Sequence, residues 1–64
     1  MRAQRLNEII RHLRRARAPV TADALALRFE VTPRTIYRDV ASLIATGVPI
    51  RGEAGIGYVL GEGY

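Results

Sequence analysis

Residues 22–43, ADALALRFEVTPRTIYRDVASL, read as two short helices joined by a tight turn. The second helix opens on Thr32, whose hydroxyl is suited to accept from the free backbone N–H groups of a first helical turn. Pro33 follows at the first helical position, where a missing N–H costs nothing. Ile36, Val40 and Leu43 then fall at i, i+4 and i+7, which is one face of a helix. At about 100° per residue, Arg34, Arg38, Ala41 and Ala45 gather on the opposite face. A solvated helix face usually mixes signs, whereas this one shows two arginines one turn apart and two small residues. Arg34 also stands in the first turn, where the helix dipole disfavours a cation. That placement becomes favourable when the helix end meets a phosphate or a base edge.

Sixty-four residues are enough for one domain, expected to span residues 1–64. A chain of this size buries only about 60% of its unfolded surface, so its stability is modest and a deep small-molecule pocket is not expected. Lys+Arg number 10 against 6 Asp+Glu, a net charge of +4, and every one of the ten is an arginine. Arginine grips phosphate or guanine with a planar fork, and the excess of positive charge points to a polyanionic partner. Codon bias in a GC-rich genome accounts equally well for the missing lysines. With no cysteine there is neither a disulfide nor a thiolate metal site. No apolar run reaches the length of a membrane span and no signal-peptide pattern opens the chain, so a cytoplasmic protein without membrane contact is expected.

A first helix is expected over residues 3–16, with Leu6, Ile9, Ile10 and Leu13 inward and Gln4, Glu8, Arg11 and Arg15 outward. Pro19 ends it, and Val20 and Thr21 form an extended link. Thr21 caps a second helix over 22–29, with Asp23 in its first turn and Ala22, Leu25 and Phe29 inward. Leu27 lies off that stripe. Glu30 and Val31 make the turn, Val31 facing the core, and a third helix over 33–46 stops at Gly47 as a left-handed C′ residue.

After Gly47 the period changes. Val48 and Ile50 alternate with Pro49 and Arg51, and Tyr58 and Leu60 flank Val59, with a Gly-rich loop between the two runs. This is a hairpin over 48–60, and it needs to pack on the helices because an isolated hairpin is marginal in water. Residues 61–64 show no pattern of their own and are expected to fray. The fold class is therefore mainly α with a small β-hairpin: a three-helix bundle plus a two-stranded wing, a winged helix-turn-helix.

The segments RLNEIIRHL, VTADALALRFEVTPRTIYRDVASL and GVPIRGEAGIGYVL, nearly the whole chain, resemble the N-terminal domain of DeoR-like bacterial regulators. The resemblance is strongest to the group whose C-terminal part is a WYL domain. It implies a winged helix-turn-helix that binds double-stranded DNA and regulates transcription, often as a homodimer. Relatives carry a larger effector-binding or oligomerising region after the wing. This sequence stops there, so an excised domain or a short regulator is expected, with no effector ligand bound within these residues.

Arg34, Thr35, Tyr37 and Arg38 are the residues expected at a major groove, where arginine reads guanine best. Which arginine reads a base stays open, and so does whether Tyr37 offers its hydroxyl to a phosphate or is a partly buried structural residue. Asp39 would repel phosphates, so it is expected to pair with an arginine and fix that side chain's direction. Thr21 and Thr32, with Pro33, are caps first, and their helix ends also suit a phosphate. Arg51 and the 52–57 loop form the wing, expected at the minor groove or adjacent backbone, with a flexible tip as the equal alternative. Arg2 and Arg5 open the first helix and are within reach of phosphates beside the recognition helix, but a solvated face is the preferred reading.

His12 is a lone histidine, and Ser42 a lone serine without a base beside it, so no metal site, cofactor or enzyme activity is expected. A winged-helix protein-docking or dimerisation module is the alternative function, and it would show an apolar patch where Arg34 and Arg38 stand. RNA binding lacks a stacking platform of aromatic side chains.

Overall fold

The computed structural model describes residues 2–64, with the side chain of residue 2 left out, so the expectation placed on the Arg2 side chain lies outside the described residues. Three helices and a hairpin follow one another: α1 (Arg2–Arg15), α2 (Ala22–Phe29), α3 (Pro33–Ala45), β1 (Ile50–Glu53) and β2 (Gly57–Leu60). The architecture is a winged helix-turn-helix. Ile9 of α1, Leu25 of α2 and Ile36 of α3 have no solvent exposure, and Leu13, Val40, Leu43, Val48, Ile50 and Tyr58 close the core around them. The inward stripes read from periodicity are thus the ones that pack. Ala26 joins the core as well, while Phe29 and Val31 are half-buried against it. Leu27 stands 83% exposed, off the stripe.

Local chemistry sets the helix ends. The Thr21 hydroxyl accepts from the Ala24 N–H at 3.1 Å, and that of Thr32 accepts from the Thr35 N–H at 3.2 Å. At the end of α3, Gly47 takes φ +97°. Its N–H donates to the Ile44 carbonyl at 3.0 Å and that of Val48 to the Leu43 carbonyl at 3.0 Å. This is a Schellman motif, and Val48 and Leu43 supply its apolar contact within the core. Thr46 is the cap of α3 rather than a member of it. The same pattern closes α2: Val31 N–H donates to the Ala26 carbonyl at 3.0 Å, and Glu30 holds the left-handed position at φ 56°. The turn between α2 and α3 therefore demands a conformation that glycine adopts freely and a glutamate does not.

The wing is antiparallel, with Ile50 opposite Leu60, Arg51 opposite Val59, Gly52 opposite Tyr58 and Glu53 opposite Gly57. Val20 is more than an extended link. It forms a bridge to Tyr58, donating at 3.0 Å and accepting at 2.7 Å, so β2 is bonded on both edges. Gly57 makes that approach possible, because a Cβ there would lie 2.5 Å from the Pro19 Cβ. The Ala22 N–H donates to the Ala54 carbonyl at 3.1 Å, which ties the turn of the wing to the start of α2. Beyond β2, the Gly61 N–H donates to the Pro49 carbonyl at 2.7 Å, so the end of the chain is anchored at that point rather than frayed from residue 61 onward.

A non-glycine residue in the left-handed region costs about 1 kcal/mol. Glu30→Gly is therefore expected to raise the melting temperature by about 4 °C after allowance for the greater freedom of glycine in the unfolded chain. Glu30→Ala is expected to leave it unchanged. Thermal unfolding of the two variants followed by circular dichroism checks this, and equal melting points would show that the strain is not there.

Candidate nucleic-acid interface

The helix α3 sorts its side chains sharply. Ile36, Val40 and Leu43 are buried, whereas Arg34, Tyr37, Arg38, Ala41, Ile44 and Ala45 are exposed. Thr32 and Pro33 start the helix, and the Thr32 and Thr35 hydroxyls lie 3.1 Å apart. The exposed arc thus presents two guanidiniums followed by alanines, on a helix with no acidic residue in its first turn. Tyr37 is 47% exposed, so about half of its surface is covered and the rest faces solvent. It stands near the wing. Burial, and then the proximity of Tyr37, raise the Tyr58 phenol above its ordinary value of 10.0.

Asp39 is the residue of α3 that breaks the apolar pattern. It is 1% exposed, inside the buried arc, three residues after Ile36 and four before Leu43. Its partner comes from α1. Arg5 Nε donates to Asp39 Oδ2 at 2.5 Å and Arg5 Nη2 to Oδ1 at 3.3 Å. The pairing of Asp39 with an arginine is as expected, but the solvated reading of Arg5 is corrected: its side chain is 22% exposed and forms a fork-to-fork ion pair. The hydrogen bond to Asp39 raises the Arg5 pKa above its ordinary value. From sequence, a phosphate contact by Arg5 is the set-aside alternative, Arg5 is not one of the residues assigned to the site, and nothing points to it as the partner of Asp39. The available signal was Asp39 itself, a carboxylate within an inward stripe, which cannot be buried without a cation.

Arg5, Thr35, Arg38, Asp39, Ala41 and Ser42 line one cleft of about 550 Å³ beside the exposed face of α3. Thr21 lies at the start of α2, where the turn of the wing already occupies the first N–H of the helix through Ala54. Arg51 is exposed on β1, opposite Val59, and so stands on the shaft of the wing. The tip is the 54–56 turn, which carries the exposed Ile56 and no cation. The geometry brings Thr32, Pro33, Arg34, Thr35, Tyr37 and Arg38 together on one helix, with Thr21 and Arg51 on other elements.

The pattern of the HTH domain family matches residues 5–59. The chain belongs to the HTH domain family. The matched span runs from the Arg5 of the ion pair to the Val59 opposite Arg51, and so takes in α2, α3 and β1 whole and most of α1 and β2. Curated proteins gave no match to the chain. Membership supports DNA as the partner of the HTH domain, and such domains are typically not enzymes. No group of three or more metal-ligating side chains occurs among the described residues, and no helix among them is long and apolar enough to cross a membrane.

Further along α1, His12 borders a cleft with Glu8, Arg11, Arg15, Arg28 and Phe29, and the Arg28 guanidinium lies 5.9 Å from the Phe29 ring centroid. Burial, and then the charge of Arg28, hold the His12 imidazole below its ordinary value of 6.5. A histidine whose folded pKa is depressed binds protons better when unfolded. Its contribution to stability is complete above 6.5 and is lost as pH falls through the depressed value. Lowering the pH from about 7.5 to about 5.5 is expected to reduce the melting temperature of the wild type more than that of His12→Gln. Parallel melting curves at both pH values would contradict it.

Proposed function

We propose that this HTH domain binds double-stranded DNA sequence-specifically, as the DNA-binding part of a bacterial transcription regulator of the DeoR-like, WYL-associated kind. In this reading α3 enters the major groove and Arg34, Thr35, Tyr37 and Arg38 face the bases and the flanking backbone. Thr21, Thr32 and Pro33 bring the starts of α2 and α3 to phosphates, and Arg51 meets the backbone beside the wing. The protein acts in the cytoplasm, and two copies bind as a homodimer on paired half-sites.

One observation carries the reading. The exposed face of α3 holds Arg34 and Arg38 beside Ala41 and Ala45, while its carboxylate, Asp39, is turned into the core. The small residues let the helix backbone come close, and nothing acidic on that face opposes a phosphate. A protein-docking module would carry an apolar patch at that place.

Binding is expected to weaken steeply with salt, by about 0.9 in the slope of log K against log salt for each phosphate neutralised. The decisive comparison uses a site obtained by selection from random DNA, with affinities read by fluorescence anisotropy at one salt concentration. Arg38→Ala is expected to lower the ratio of specific to random-DNA affinity by about 1–3 kcal/mol, as a base-reading arginine does. Arg51→Ala is expected to weaken both affinities nearly equally, as a backbone contact does. A flat salt response would overturn the DNA reading. An unchanged ratio for Arg38→Ala would demote that residue to a phosphate clamp and leave Arg34 as the reader.

A further inference from the structure

We propose that Arg5, on the first helix, grips a DNA phosphate beside the groove that α3 reads, and that the buried Asp39 carboxylate holds it in position to do so. The inference rests on the DNA reading above and adds a residue from a different helix to the interface.

The argument begins with the guanidinium's own inventory. Arginine has five N–H groups, and the fork on Asp39 uses one on Nε and one on Nη2. Nη1 makes no hydrogen bond among the described residues, so its two donors remain available beside the cleft that Arg5 shares with Thr35 and Arg38. Asp39 is itself shut away from solvent and ion-paired with Arg5, so its charge is not presented to DNA. An arginine tied at one edge has already lost the rotamer freedom that a free one gives up on binding. The remaining edge offers charge-assisted donors in a fixed direction, which suits a phosphate oxygen. Arg38 borders the same cleft from the exposed face of α3, so a phosphate held by Arg5 lies beside the element that reads the bases.

This arrangement makes a prediction opposite in sign to simple charge counting. Removing a carboxylate near DNA should tighten binding if only net charge matters. Asp39→Asn, which frees Arg5 from its tether, is instead expected to weaken binding to specific and random DNA alike. Arg5→Lys keeps the positive charge and one bond to Asp39 but loses the second edge. It is expected to fold, to bind both DNAs roughly tenfold more weakly, and to lower the salt slope by about 0.9. The ratio of specific to random affinity should stay the same.

The measurements are anisotropy titrations over a salt series on wild type and both variants, with circular dichroism at the assay temperature to establish folding. If Asp39→Asn does not fold, Arg5→Lys decides alone. A folded Arg5→Lys with wild-type affinity and slope, or a folded Asp39→Asn that binds more tightly, overturns the inference while leaving the DNA reading intact. A wild type without salt-dependent DNA binding removes both.

Discussion

Ile9, Leu25 and Ile36, one side chain from each helix, lie in one core cluster where no water reaches, and the rest of the structure is arranged around that cluster. A domain of this size has no second layer to compensate for a loosened first one. The place of α3 in the domain is set by the packing of its buried stripe, Ile36, Val40 and Leu43, in that cluster. Apolar packing is not directional, however, and a helix seated only on aliphatic groups can roll about its axis at small cost. The Arg5–Asp39 fork supplies the missing direction, because two hydrogen bonds in one plane tolerate little rotation. Shape fixes where α3 lies, and the ion pair fixes which way it faces.

The wing depends on the same core at one remove. A two-stranded hairpin is barely stable alone in water. Here Ile50 and Tyr58 enter the core, Val20 bonds the far edge of β2, and Ala54 receives the first N–H of α2. The segment before α2 and the hairpin after α3 are therefore one small sheet-like unit built from distant parts of the chain. Arg51 gains a defined position from this even though it makes no core contact of its own.

What was legible in the sequence was whatever depends on neighbours a few residues apart. Thr21, Thr32, Pro33 and Gly47 announce helix ends through local hydrogen bonding and backbone preference, and the stripes of α1 and α3 announce their buried faces. The exposed arc of α3, and so most of the candidate site, follows directly from the stripe. What escaped depends on pairings across the fold. The bond between Arg5 and Asp39 spans 34 positions, and no periodicity marks Arg5 as anything other than an outward residue of α1. The Val20–Tyr58 bridge hides for the same reason. Glu30 hides for a different one: its left-handed backbone is imposed by the short turn between two packed helices, against the residue's own preference.

The sheet has a consequence for association. With β2 bonded on both sides, the outer side of β1 is the open row of backbone groups, and such a row is ordinarily a template on which a foreign strand can extend the sheet. Here it is only four residues long, is preceded by Pro49 with no N–H to offer, and carries the charges of Arg51 and Glu53. A strand arriving from another molecule would find a short rail with like and unlike charges along it and no donor at its entrance. The edge of β1 is thereby a poor place for copies of the domain to zip into a continuous sheet.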